Sequence, residues 1–158
     1  MKARPTLLLL ALAVAGGCTT AATRQYRAAE EGKVSEAALL YELTLRDTNR
    51  LVFVSLFDSQ NRVFDPPDNF VERLQAAGIP ARKASQSSRD VHTRVVDKFT
   101  GEPGIIYSAG VLRWINNTKV VVRRGCDVAN LAGGATDCVM EMKDGKWQET
   151  KTERSVIY

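Results

Sequence analysis

The stretch IIYSAGVLRWINNTKVVVRR, residues 105–124, decides the fold that we predict for this chain. Two runs rich in β-branched and aromatic residues flank Asn116-Asn117, a pair that is typical of a tight turn. We therefore predict a strand over 105–115, in which Gly110 marks a bulge, and a return strand over 119–124. Together they form an antiparallel hairpin in the last third of the chain.

A second hairpin follows the first. Lys143-Asp144-Gly145-Lys146 separates two strand-like runs, and Asp-Gly in that position is among the strongest short-range hairpin signals. Residues 142–147, MKDGKW, and the long hairpin that they close resemble the C-terminal hairpin of cystatin-like and nuclear-transport-factor-2-like domains. They are also similar to uncharacterised bacterial lipoproteins that end in this way. The resemblance implies a type of fold, and this fold hosts binding modules and enzymes alike.

Upstream of these hairpins the sequence predicts a helix and further strands. Residues 51–57, LVFVSLF, are compact and apolar and predict a buried strand. Residues 70–77 predict a short helix, which a glycine and a proline end in the expected order. Two weaker strands are predicted over 81–88 and 90–99.

Residues 25–47 predict a helix with an amphipathic stripe, which Gly32 bends or splits. The segment 28–41, AAEEGKVSEAALLY, resembles the middle of a tetratricopeptide repeat, whose turn glycine, interhelix alanine and aromatic residue fall on Gly32, Ala37 and Tyr41. The closing proline of that family is absent, and nothing later in the chain repeats the segment. Because solenoids need about three stacked repeats, an array is excluded.

The order of these elements predicts a single α+β domain over residues 25–158. In it, an N-terminal helix or helical hairpin and one short helix pack on a curved antiparallel sheet of about five or six strands. Residues 18–24 are small and polar at their start and are predicted to tether this domain.

Residues 1–17 have the three zones of an export signal. Lys2 and Arg4 give a cationic start, residues 7–15 are apolar, and small residues precede Cys18. The apolar run is far shorter than the roughly 20 residues that span a bilayer as a helix. We therefore interpret residues 1–17 as a cleaved signal peptide.

The segment VAGGC, residues 14–18, resembles the lipobox of bacterial lipoproteins, although that family usually has leucine where Ala15 stands. The resemblance implies lipid attachment to the Cys18 thiol, cleavage before Cys18 by the lipoprotein export and processing machinery, and acylation (palmitate) of the new amine. Thr19, where an aspartate is absent, implies passage to the outer membrane, facing the periplasm. Cleavage without lipid attachment is the alternative that the departure at Ala15 leaves open.

The charge balance excludes nucleic acid as a partner. The chain has 22 basic and 18 acidic residues, for a net charge of +4, and cleavage of the leader would remove two of the basic residues. The adjacent basic pairs are Arg82-Lys83 and Arg123-Arg124, and no long basic run exists. Nucleic-acid binding needs a concentrated basic face.

Once Cys18 carries lipid, Cys126 and Cys138 form an even pair in an oxidising compartment, where disulfides persist. We predict a disulfide between them that closes a flexible loop over 127–137. The alternative is a metal site that adds Asp127 and Asp137, but thiolate sites normally use four ligands at tight local spacings. No metal ligand and no cofactor is therefore predicted.

The chain contains no recognisable catalytic motif. His92 is the only histidine, and Asp90 would share its strand face, so an Asp-His base is one hypothesis; a solvent-exposed histidine is the other. The acidic pairs Glu30-Glu31 and Glu149 with Glu153 are interpreted as solvated faces.

Three functional hypotheses follow. The first is a non-enzymatic, membrane-anchored envelope lipoprotein that binds a protein partner or supports an envelope assembly, through a surface at Leu39, Leu40 and Leu43. Burial of Leu39 and Leu43 against the sheet would contradict that surface. The second is a binder of small hydrophobic ligands, with a pocket lined by residues such as Trp114 and Met140. The third is an enzyme that uses His92 as a base, which requires His92 to lie in a cleft.

Overall fold

The computed structural model of the 158-residue chain describes residues 20–45, 50–129 and 132–157. It has an α+β fold, with two helices and a seven-stranded, mostly antiparallel sheet. The helices are α1 (Ala21–Thr44) and α2 (Asp68–Ala76). The strands are β1 (Leu51–Phe57), β2 (Val63–Phe64), β3 (Ala81–Lys83), β4 (Ser87–Arg89), β5 (Val95–Asp97), β6 (Gly104–Asn116), β7 (Lys119–Ala129), β8 (Ala132–Lys143) and β9 (Lys146–Ile157).

The N-terminal segment forms one continuous helix, not a helical hairpin. Thr20 caps α1, because its side-chain oxygen accepts a hydrogen bond from the Thr23 backbone N–H at 3.2 Å. Residues 21–24, predicted as part of the tether, belong to the first turn of α1. Gly32 lies inside the helix and does not interrupt it, so the likeness to a repeat turn does not extend to the backbone.

The predicted hairpins are confirmed and form a four-stranded antiparallel meander, β6-β7-β8-β9. Asp144 and Gly145 both have positive φ, at 50° and 73°, as a two-residue turn between β8 and β9 requires. The Asn116 side chain accepts a hydrogen bond from the Thr118 backbone N–H at 2.8 Å and fixes the turn between β6 and β7. The segment predicted as a flexible loop instead continues both strands, since β7 runs to Ala129 and β8 begins at Ala132.

β1 is a parallel neighbour of β6. The antiparallel sheet that the sequence predicted did not include this parallel pair. On its other edge β1 pairs with β3 in parallel and with β2 in antiparallel orientation. Parallel neighbours need a long crossover connection, and the segment 58–103, which contains α2, supplies it. The sheet order is therefore β2-β1-β6-β7-β8-β9, with β3 sharing the outer edge of β1.

Gly110 permits the close approach of β6 to β1 and is not the residue at the bulge. The irregularities of β6 lie between Val111 and Arg113 and between Trp114 and Asn116. A Cβ atom on Gly110 would lie 2.1 Å from the Phe57 carbonyl oxygen, which is closer than real Cβ contacts come.

The predicted strand over 90–99 is wrong at both ends. β4 and β5 form a small separate hairpin, and the turn between them spans 90–94. Asp90 holds that turn, because its Oδ1 accepts from the backbone N–H groups of His92 at 2.9 Å and Arg94 at 2.8 Å. Local hydrogen bonding by an aspartate side chain favours such a turn over extended pairing.

The main core lies between the helices and one face of the sheet. Its members from α1 and α2 pack against alternate residues of β1, β6, β7 and β8. A smaller cluster lies on the opposite face, where β5 covers Leu51, Phe53 and Ile106 with Val95. Among the described residues, no helix combines the length and apolar character needed to cross a membrane.

Candidate functional site: a groove beside a buried ion cluster

The face of α1 that packs on the sheet is apolar in its middle and acidic near both ends. Val34, Ala38 and Leu39 are fully buried there, and the carboxylates Glu30 and Glu42 are buried on the same stripe. Helical residues four apart lie one above the other on the same face, so Glu30, Val34, Ala38 and Glu42 form one row. Buried carboxylates need charged or hydrogen-bonding partners, and the sheet supplies both.

Glu42 and Glu149 share one guanidinium. Arg124, on the core-facing side of β7, pairs with Glu42 of α1 and with Glu149 of β9. Its Nε and Nη2 donate to the two oxygens of Glu149 at 3.1 and 3.2 Å, a bidentate geometry. The guanidinium also lies over the Tyr41 ring, 5.2 Å from its centroid. The cluster of Glu42, Arg124 and Glu149 thus joins α1, β7 and β9.

The other acidic end of this packing face, at Glu30 and the adjacent Glu31 in the middle of α1, contacts two tryptophans. The Trp147 indole N–H donates to Glu30 Oε2 at 3.0 Å, and the Trp114 indole N–H donates to Glu31 at 3.4 Å. The two rings meet edge to face, 5.7 Å apart. Hydrogen bonds from Lys33 and then from Trp147 hold the pKa of Glu30 below its ordinary value. Glu30 therefore stays ionised at its contact with Trp147.

A groove of about 430 Å³ runs between α1 and the start of β9. Leu40 and Tyr41 form its helical wall, and both are accessible to solvent, at 44% and 41%. Met140 is part of its floor, and Trp147 and Glu149 belong to the opposite wall. Ala37, Thr44 and Gln148 complete the lining.

The lining of the groove suits apolar contact with a ligand better than acid–base catalysis. Both oxygens of Glu149 accept hydrogen bonds from Arg124, and one of them also accepts from Thr152 at 3.2 Å. That carboxylate is thus held in place as part of the wall. The Glu149 carboxylate in this wall disfavours an anionic group beside it.

The predicted partner surface at Leu39, Leu40 and Leu43 is wrong. Leu39 and Leu43 are 0% and 1% exposed, because they lie on the stripe of α1 that faces the sheet. Leu40 alone of the three reaches the surface, and it does so at the groove. A partner could not contact Leu39 or Leu43 without separating α1 from the sheet.

The predicted disulfide is contradicted as well, since Cys126 and Cys138 are free cysteines. On the paired strands β7 and β8, Cys126 lies opposite Gly134 and Cys138 lies opposite Val122. An offset of four residues along a strand corresponds to roughly 13 Å, well beyond the Cα separation of about 6 Å that a disulfide spans. Burial raises the pKa of the Cys138 thiol to about 12.

The alternative metal site at the same cysteines is not assembled either. Asp127 pairs with Arg89, and Asp137 pairs with Arg123, whose Nε lies 2.7 Å from the Asp137 carboxylate. Within residues 20–45, 50–129 and 132–157, no group of three or more histidine, cysteine or acidic side chains is placed to hold a metal ion.

His92 does not meet the condition set for a catalytic base. It is exposed in the turn between β4 and β5 and lines none of the four main cavities formed by the described residues. Asp90, its proposed partner, uses both carboxylate oxygens within the turn, since its second oxygen accepts from Arg94 Nε at 2.8 Å. The structure therefore gives the Asp-His hypothesis no geometric support.

Of the pocket residues named from the sequence, Met140 lines the groove, whereas Trp114 contacts Trp147 beside it. The lipid-attachment residue Cys18 and the signal peptide lie outside the described residues.

The ion cluster was missed from the sequence, although a signal for it exists. Val120, Val122 and Arg124 alternate along one strand, and this spacing places the arginine on the same face as the buried valines. Glu42 follows Glu30 by twelve residues on the helix stripe and therefore lies on the same face. Glu149 was interpreted as solvated, but its position beside Arg124 depends on the pairing of β8 with β9.

No protein-family model matches the chain, and neither a curated protein nor a solved structure matches it either.

Proposed function

We propose that this chain is a lipid-anchored envelope protein whose domain binds a small, uncharged and largely apolar molecule in the groove between α1 and β9. The observation that carries the proposal is the groove itself. Its volume of about 430 Å³ falls within the roughly 300–1,000 Å³ typical of small-molecule sites, which are apolar clefts with a few fixed polar groups.

The lining supports an apolar ligand. Leu40 and Tyr41 offer exposed aliphatic and aromatic surface, and Met140 and Trp147 lie nearly buried beneath it. Glu149 contributes a polar edge that Arg124 holds in position. A carboxylate ligand would place a second negative charge beside Glu149 in the wall of the groove. An uncharged molecule avoids that repulsion.

Ligand binding now ranks above the hypothesis of a protein partner. That hypothesis needed an apolar surface at Leu39, Leu40 and Leu43, and two of these side chains are buried in the core. The remaining exposed residue, Leu40, belongs to the groove.

The anchor is supported by the lipobox-like segment before Cys18 and by the export signal that precedes it. Lipid on Cys18 would retain the domain at a membrane, and the residue after Cys18 favours the outer membrane. Metabolic labelling with an alkyne analogue of palmitate tests this: wild type should be labelled and Cys18→Ser should not. Equal labelling of both chains, or of neither, would contradict the anchor.

The groove is tested with N-phenyl-1-naphthylamine, a neutral apolar fluorophore, and the unlipidated domain. We expect saturable binding that Leu40→Lys weakens at least about 10-fold, because burying an apolar side chain contributes roughly 1.5–3 kcal/mol and a charge would replace it. Leu45→Lys is the matched control, since Leu45 is an exposed leucine on the same helix end outside the groove lining. The proposal would be contradicted if binding did not saturate, or if both substitutions weakened binding equally.

A further inference from the structure

The start of α1 lies only two residues from Cys18, the proposed site of lipid attachment. Thr20 is the N-cap of α1, and Cys18 precedes it by two residues. Two residues span at most about 7 Å, because an extended chain advances at most about 3.6 Å per residue. This inference rests on the proposed lipid at Cys18. Given that lipid, the start of α1 lies close to the membrane surface, without the longer tether that the sequence predicted.

Two hairpin turns lie at this same end. Arg27, in the second turn of α1, donates from Nε to the Asn117 side chain at 3.2 Å and so joins the helix to the turn between β6 and β7. The Met142 backbone N–H donates to the Thr118 carbonyl at 2.9 Å, which brings the end of β8 beside that turn. The turn between β8 and β9 follows directly, at 144–145. The helix start and both turns therefore form one end of the molecule.

The exposed charge at this end is basic. Arg24 extends from the first turn of α1, and Lys143 and Lys146 flank the turn between β8 and β9; all three are exposed. Within the described parts of the chain, none of the three has a carboxylate within ion-pair distance. The pKa of Glu141 is lowered mainly by its hydrogen bond with Lys119 and to a smaller extent by the charge of Lys143. The exposed acidic residue here is Asp144, in the same turn.

Two arginines near the other end of the sheet have carboxylate partners. Arg89 pairs with Asp127, and Arg94 lies 2.7 Å from the Asp90 carboxylate. Arg50, Lys98, Lys151 and Arg154 are likewise exposed and have no carboxylate within ion-pair distance among the described residues. What distinguishes Arg24, Lys143 and Lys146 is their position, at the end where a lipid on Cys18 would hold the domain.

We infer that the end formed by the start of α1 and the β6–β7 and β8–β9 turns faces an anionic lipid surface, with Arg24, Lys143 and Lys146 against the phosphate headgroups. The reach of about 7 Å from Cys18 lies within the Debye length of roughly 8 Å at physiological ionic strength. The surface potential therefore reaches the start of α1, and each basic residue that comes near such a surface strengthens binding about 5-fold. The lipid would hold the protein at the membrane, and the basic end would set its orientation.

The test uses the chain from residue 18 with Cys18→Ser, which carries no lipid, and vesicles of phosphatidylcholine with or without phosphatidylglycerol. We expect sedimentation with the phosphatidylglycerol vesicles only, and loss of binding when salt is raised. The double variant Lys143→Gln, Lys146→Gln should bind at least about 10-fold more weakly. Lys151→Gln, Arg154→Gln removes the same charge from exposed residues farther along β9 and should bind like the parent chain.

Equal loss in the two double variants, or equal binding to both kinds of vesicle, would overturn the assignment of this end. Because the lipid is absent from this experiment, its outcome is independent of the labelling experiment on Cys18. A chain that is labelled at Cys18 but has no preference for anionic vesicles is anchored without this orientation. A chain that is not labelled but prefers them through Lys143 and Lys146 has the basic surface without the anchor.

Discussion

Arg124 on β7 and Glu42 on α1 form a salt bridge that is almost completely removed from solvent, with side-chain exposures of 7% and 3%. Because Glu149 engages the same guanidinium, removal of the arginine would take a shared cation from two buried carboxylates. The Arg124 guanidinium thus links the C-terminal part of α1 to two strands of the sheet.

Arg124→Met should lower the free energy of unfolding by about 3–5 kcal/mol, the usual cost of removing one partner from a buried ion pair. Urea denaturation, followed by tryptophan fluorescence, measures the change. Arg123→Met is the matched control: Arg123 is the neighbouring arginine, but its pair with Asp137 is at the surface, where such pairs contribute about 1 kcal/mol or less. Similar losses in the two variants would contradict the role given to the cluster.

Gly110→Ala should destabilise the protein by at least ~2 kcal/mol, because the new methyl group meets the Phe57 backbone at 2.1 Å and overpacking is costly. Gly32→Ala should have the opposite sign. Gly32 lies inside α1 with open space where a Cβ would be, and alanine is about 0.5–1 kcal/mol better than glycine in a helix. Thermal unfolding of both variants measures these two changes in stability. Stabilisation by Gly110→Ala would show that β1 and β6 are not in close contact there.

Stability at acidic pH should depend in part on Glu30. Its pKa is lowered in the folded protein by Lys33 and Trp147, so the unfolded chain binds the proton more tightly than the folded chain. The resulting stabilisation is fully present above the ordinary carboxyl pKa and is lost as the pH falls through the lowered folded value. Glu30→Gln should therefore flatten the fall in unfolding free energy below about pH 4.5. Curves for wild type and variant that stay parallel over this range would contradict the assignment.

Native alkylation should distinguish the two cysteines of the domain. Cys138 is fully buried and burial raises its pKa to about 12, so it has almost no thiolate at neutral pH. Cys126 is partly accessible and should react first with iodoacetamide. Mass spectrometry of the tryptic peptides measures both rates, and unfolding in urea should make them similar. Isolation of a Cys126–Cys138 disulfide from native protein would contradict the register of β7 and β8.

The sequence predicted the parts of the fold that depend on local signals. Asp144-Gly145 and Asn116-Asn117 identify their turns by their own conformational preferences, and the strands of the meander follow from those turns. The parallel pairing of β1 with β6 was not predicted, because no local residue encodes which distant strand will be the neighbour. The disulfide failed for a related reason: the register between β7 and β8 decides whether two cysteines meet, and their spacing in the sequence does not.

The candidate site was predicted only in fragments. Met140 was named as a pocket residue and does line the groove. Leu39 and Leu43 were assigned to the surface, but they lie on the face of α1 that packs against the sheet. Glu149 and Arg124 come together across β8, so their contact could be found only after the order of the strands was known.

The place of β1 in the sheet has a consequence for the chain as it is being made. Ribosomal synthesis delivers LVFVSLF before β6, its long parallel partner, has been translated. The heptapeptide has no charge, proline or glycine, which is the composition of segments that self-associate into cross-β assemblies. Long-range parallel pairing is slow to form and leaves such a strand exposed meanwhile. Before β6 is available, the chain therefore passes through an interval in which β1 is exposed without its long parallel partner and is prone to self-association.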